Sequence, residues 1–158
     1  MQNTLTMTIG AEKSVFQIDG TPQPVTLPVG YDLISSRYFH HSPPTYDGLE
    51  YAINYIEDEI ERAAKKIPYE GYELVSHTDF IRTIALLSGT VTGLDKSGET
   101  TARFLREDME RLFGQYAEIV AGRPAQIDEP DTSATFYAQL LIFREYMHHL
   151  KFEYVVVA

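Results

Sequence analysis

In Leu5–Ile9 and again in Val25–Val29 apolar residues recur at every second position, and beyond Gly30 they recur at every third and fourth. No other feature constrains the fold as much, because a side-chain period of two builds half-buried strands while a period of about 3.6 builds amphipathic helices. Leu5-Thr-Met-Thr-Ile9 and Val15-Phe-Gln-Ile18 read as strands turned at Gly10-Ala-Glu-Lys13. Asp19-Gly20, Pro22 and Pro24 turn the chain again into Val25-Thr-Leu27 and Val29. Three short strands with tight connections predict a meander.

Tyr31 to Phe39 carries Leu33, Ile34 and Tyr38 at helical spacing and stops at His40-His41-Ser42-Pro43-Pro44. Pro44 or Thr45 then opens a long helix whose stripe is Leu49, Ile53, Ile56, Ile60, Ala63 and Ile67, ended by Pro68. Tyr72-Glu-Leu-Val75 is a short strand, and Phe80 to Leu87 a helix begun by Thr78 or Asp79. The stretch from about 88 to 101, rich in Gly, Thr and Ser, predicts a flexible connection. Leu105, Met109, Leu112, Tyr116 and Ile119 mark a further helix, ended by Gly122 and Pro124. A last helix starts at Thr132 or Ser133 and is apolar around most of its girth, as a buried helix is. Tyr154-Val-Val-Val157 reads as a closing strand covered on both faces.

The resulting order, β-β-β-α-α-β-α-α-α-β, predicts an α/β domain over residues 1–158. Its five-stranded mixed sheet has three antiparallel strands extended by two parallel ones, with helices on the faces. That arrangement resembles the ribonuclease H-like fold of each half of actin-like ATPases. At 158 residues the chain is long enough to bury a core without disulfides or metals. It has no cysteine, which excludes thiolate metal sites and cysteine nucleophiles. A net charge of −10 argues against nucleic-acid and anionic-membrane partners. Met1-Gln-Asn-Thr-Leu-Thr lacks the pattern of a signal peptide, and no stretch approaches the ~20 apolar residues of a membrane span, so a cytoplasmic location is expected.

The segment Leu27-Pro-Val-Gly-Tyr-Asp-Leu-Ile-Ser-Ser-Arg-Tyr-Phe-His-His-Ser-Pro-Pro-Thr45 resembles the exopolyphosphatase / guanosine pentaphosphate phosphatase family. That family has a similar Leu-Pro-Leu-Gly strand end, an Arg-Phe step in the next helix, and an Asp-Pro-Pro start to a long helix. The resemblance places Thr8-Ile-Gly-Ala-Glu-Lys-Ser14 at the family's Asp-Ile-Gly-Gly-Gly-Ser phosphate loop. It places Val75-Ser-His-Thr-Asp-Phe-Ile81 at a second glycine-rich loop. It implies the second half of a two-domain core, and finds no counterpart here for the first half with its catalytic glutamate.

The resemblance thus implies a ligand site at Gly10, Lys13, Ser14, Ser76, His77 and Thr78. A phosphate loop works by turning successive backbone N–H groups into one concavity, which glycine permits. Here Ala11, Glu12 and Lys13 stand among the glycine positions, Glu12 and Asp79 oppose an anion, and Thr8 replaces the aspartate that would hold magnesium. The plain alternatives are a hairpin turn and a helix start.

Other candidates are weaker. His40-His41 and His148-His149 lack the spacing of four that sets two imidazoles on one helix face, and a position near a helix C-terminus accounts for the second pair. Glu57, Asp58, Glu59 and Glu61 read mostly as a solvated face. Eleven tyrosines on an acidic chain suit a protein contact. The expected function is a non-catalytic phosphatase-like domain without a cofactor, acting through a protein partner or self-association. The alternative is a magnesium-dependent phosphohydrolase of polyphosphate or guanosine penta- or tetraphosphate, completed by a partner chain.

Overall fold

A computed structural model describes residues 3–91 and 101–158. Strands β1 (Asn3–Ile9), β2 (Ser14–Ile18) and β3 (Val25–Leu27) form the meander, and helices α1 (Tyr31–Tyr38) and α2 (Tyr46–Ala63) follow. Next come β4 (Tyr72–Ser76), α3 (Asp79–Ser88), β5 (Ala102–Leu105), α4 (Arg106–Val120), α5 (Ala134–His149) and β6 (Tyr154–Val157). The strands join in the order β3-β2-β1-β4-β6-β5. β4 lies parallel to β1 and β6 parallel to β4, whereas β5 is antiparallel to β6.

The sheet therefore has six strands rather than the expected five. The missed strand, β5, is four residues long, and Phe104 is its one fully buried side chain. So short a segment shows no readable alternation, and Leu105, which ends it, mimics the start of the following helical stripe. Residues 92–100, most of the expected flexible connection, lie outside the described residues.

The two best-marked helices begin at side-chain caps. Thr45 accepts from the Gly48 amide at 3.1 Å, and Ser133 from the Phe136 amide at 3.1 Å. Helix α2 gives way at Ala64–Lys66 to a single 3₁₀ turn, which brings Ile67 into the core. Helix α5 buries ten of its 16 residues. It packs against α1, α2, α3 and α4, so the helices gather on the sheet face where Phe16 and Phe104 meet Tyr146 and Phe143.

On that face Leu5, Met7, Ile9, Leu74, Val155 and Val157 are all but inaccessible. On the opposite face Thr4, Thr6, Val75, Tyr154 and Val156 are half-buried and Thr8 is exposed. The Val-Val-Val run of β6 is thus fully covered on one side, not on both.

The connection between α4 and α5 is pinned by Arg123. Its guanidinium grips Glu129 with two bonds, 2.9 and 2.6 Å, and reaches Glu118 and the carbonyls of Gln115 and Pro124. Glu129 is 5% exposed. The bonds from Arg123 hold its carboxyl below the ordinary carboxylate range. A lowered folded-state value means that this stabilisation is complete above the usual 4.5 and is lost as pH falls through the folded value. Arg123→Ala should therefore lower the urea midpoint at neutral pH, and the gap from wild type should shrink progressively in acid.

Candidate functional site

The parallel pairing of β1 with β4 matches Leu5 to Leu74 and Thr6 to Val75, so both strands end at the same edge of the sheet. The loop after β1, residues 10–13, and the loop after β4, residues 77–78, consequently sit side by side. Two bonds lace them. The Ser76 hydroxyl donates to the Met7 carbonyl at 2.6 Å, and the Ile9 amide donates to Thr78 Oγ1 at 3.3 Å. The structure thus juxtaposes the two segments that the family resemblance singles out.

Their polar groups are largely committed to the protein itself. Ser14 is buried and its hydroxyl donates to the Val29 carbonyl at 2.6 Å. Ser76, also buried, accepts from the Thr78 amide at 3.3 Å in addition to its bond to Met7. Gly10 closes the first loop by donating its amide to the Lys13 carbonyl at 2.9 Å. Lys13 and His77 are exposed, as are Glu12 and Asp79. Thr78 sits at the start of α3 but makes no side-chain cap, because its hydroxyl serves Ile9 instead.

The first loop also caps α1. Helix N-termini that bind anions present free amides. Here the amides of Tyr31, Asp32 and Leu33 donate to the carbonyls of Gly10 and Ala11 at 3.1, 2.8 and 3.2 Å. This docking needs Gly30. A Cβ there would lie 2.3 Å from the Ala11 carbonyl oxygen and 2.5 Å from the Glu12 carbonyl carbon. A shallow groove of about 390 Å³ beside the loop is lined by Glu12, Asp32, Leu33, Ser36 and Arg37, with more acid than base. One feature runs the other way: among the described residues the amides of Ala11, Glu12 and Lys13 make no backbone hydrogen bond.

Metal-ligating side chains gather elsewhere. Among the described residues the one group of three is Glu57, Glu145 and His149, at the far end of the parallel strands. Glu57, on the charged face of α2, and His149, at the C-terminal end of α5, are brought beside the buried Glu145. The signal was present in Glu145-x-x-x-His149, a spacing of four, whereas a search for paired imidazoles passes over it.

No family model matches the sequence, and no curated protein sequence matches it significantly. Solved structures do resemble the fold. A Ppx/GppA enzyme of Aquifex aeolicus superposes with a TM-score of 0.70 at 17% identity, over 99% of this chain and 53% of its own. An exopolyphosphatase from Cytophaga hutchinsonii gives 0.70 at 16% identity, over 99% and 53%. An exopolyphosphatase-like protein gives 0.68 at 14% identity, over 98% and 55%.

The chain thus has the mixed α/β fold seen in Ppx/GppA phosphatases. It spans about half the length of those structures. No helix among the described residues is long and apolar enough to cross a membrane.

Gly30→Ala should cost at least the ~1–3 kcal/mol typical of overpacking, because backbone rather than a mobile side chain must give way. Thermal melts would register it. Ala11→Gly, which leaves the contact alone, should change stability far less.

Proposed function

We propose that this chain is a phosphatase-like domain that does not hydrolyse phosphate and acts by binding a protein partner or a second copy of itself. The observation that carries the reading is the commitment of the loop groups to internal bonds. The hydroxyls of Ser14, Ser76 and Thr78 bind the protein backbone, and the first amides of α1 are taken by the carbonyls of Gly10 and Ala11. Glu12, Asp32 and Asp79 at the same edge repel an anion. Neither a cofactor nor magnesium is required, and the acidic charge of −10 disfavours nucleic acid and anionic membranes. A cytoplasmic location fits this role.

The surface offers aromatic contact area for such a partner. Tyr46 and Tyr51 on α2 are 65% and 64% exposed, and Ile127 is fully exposed. Large, rigid, half-polar rings are favoured at protein interfaces.

A second reading is supported by the unbonded amides of Ala11, Glu12 and Lys13. Three successive amides can form an anion-binding concavity, and two of the structural neighbours carry the name exopolyphosphatase or exopolyphosphatase-like. On this reading the chain is a phosphohydrolase of polyphosphate or guanosine penta- or tetraphosphate that works with magnesium and with a partner chain completing the cleft.

Phosphate release from polyphosphate and from guanosine tetraphosphate, assayed with magnesium, separates the two. The expected rate is background, unchanged in Lys13→Ala. Turnover that Lys13→Ala or Glu12→Ala abolishes would establish the second reading in place of the first. Light scattering across a range of protein concentrations tests self-association. If copies do associate through α2, Tyr46→Ser with Tyr51→Ser should restore the monomer.

A further inference from the structure

Helix α5 ends where the chain turns toward β6, at the edge of the sheet opposite the two loops. There Glu145 is completely buried. One of its carboxylate oxygens, Oε2, is gripped by Arg144 Nη1. The other, Oε1, makes no hydrogen bond among the described residues. A buried carboxylate oxygen left in that state is costly.

What Oε1 faces is informative. His149 Nε2 is 3.4 Å away, one helical turn on, and Glu57 Oε2 from α2 is 3.9 Å from the same nitrogen. All three donor atoms lie within 4.8 Å of one another. Zinc binds imidazole nitrogen and carboxylate oxygen at about 2.0–2.2 Å in tetrahedral geometry, which sets neighbouring donors roughly 3.3–3.5 Å apart. The 3.4 Å between His149 and Glu145 already matches that spacing, and the partly exposed Glu57, 3.9 Å from His149 and within 4.8 Å of Glu145, has to move inward.

The surroundings favour a cation. Arg144 is itself engaged by Glu110, through bonds of 3.0 and 3.1 Å, so its charge is shared between two carboxylates. Glu57, Glu110 and Glu145 stand against the one guanidinium of Arg144, while Lys65 and Lys151 line the neighbouring groove on the other side of His149. Arg144 also fixes the Glu145 carboxylate with Oε1 toward His149, as supporting groups orient metal ligands.

We infer that Glu57, Glu145 and His149 form a site for a divalent transition-metal ion of the zinc class, joining α2 to the end of α5. Imidazole nitrogen disfavours magnesium and calcium, which prefer oxygen throughout. Three protein ligands leave a fourth position, facing a groove of about 280 Å³ lined by Glu57, Ile60, Glu61, Ala64 and His149, for water or a groove-bound molecule. The site is separate from the phosphatase-type loops and does not depend on whether those loops bind phosphate.

The competing occupant is a proton held within the cluster without metal. Titration of zinc chloride into chelator-stripped protein, followed by calorimetry, distinguishes them. One zinc per chain is expected. At hundredfold excess over the dissociation constant, Tm should rise by about 5–10 °C.

His149→Ala and Glu57→Gln should each weaken binding by at least ~10-fold. Both side chains are partly exposed, at 31% and 43%, so these variants test the site even if Glu145→Gln fails to fold. Asp58→Asn, a neighbouring exposed carboxylate, should bind as wild type. Cobalt substitution should give the visible absorption of a four-coordinate site, absent in His149→Ala. Failure to saturate at one zinc per chain, or binding that survives both His149→Ala and Glu57→Gln, would overturn the site in favour of the proton.

Discussion

Enclosure of α5 between the sheet and its four fellow helices is the constraint on which the remaining architecture rests. Its rings meet the strands directly, Tyr146 on Phe16 at 5.0 Å and Phe143 on Phe104 at 5.8 Å, and the Tyr137 hydroxyl ties to the Tyr116 carbonyl at 2.7 Å. A helix so surrounded must be apolar around most of its circumference, and its few charged groups must find partners where they emerge. Arg144 and Glu145 do so with each other and with Glu110, while Glu145 keeps one oxygen aimed at His149. The buried helix therefore both organises the core and generates the charged cluster at its end.

The same packing makes the sheet one-sided. With α1 to α5 gathered on one face, each strand buries alternate residues and leaves the others partly open, as the Leu5-Met7-Ile9 and Thr4-Thr6-Thr8 series of β1 demonstrate. Parallel pairing of β1 and β4 then brings their two following loops together. Yet the hydroxyls that could face a ligand lace strand to strand, and the first loop turns its carbonyls to cap α1. The amides of Ala11, Glu12 and Lys13 in the same loop make no backbone hydrogen bond, and the proposed reading of the chain as a binding module weighs the one set of groups against the other.

The elements with strong local signals were legible in advance. Thr45 and Ser133 are both caps, and the stripe from Leu49 to Ile60 does face the core. Segments whose character comes from neighbours were not. β5 is a strand because β6 offers it an edge, since Ala102 to Leu105 carries no pattern of its own. Thr78 stands where a capping side chain belongs, but the Ile9 amide claims its hydroxyl, a partner 69 residues away. Glu57 and His149 looked like surface charges because each lies within a polar stretch; their convergence depends on how α2 crosses α5.

By itself the amino-acid sequence determined the order and type of nearly all the elements, the buried nature of the last helix, and the acidic character of the chain. These follow from residue spacing and charge, which act within a few neighbours along the chain. Tertiary structure decided that the helices share one face, that a sixth strand closes the sheet, and that the loop hydroxyls are spent internally. It also decided that a carboxylate pair and an imidazole meet at the far end. Each of those outcomes depends on contacts between residues distant in sequence, where hydrogen-bond partners and local charge are set by packing rather than by adjacency.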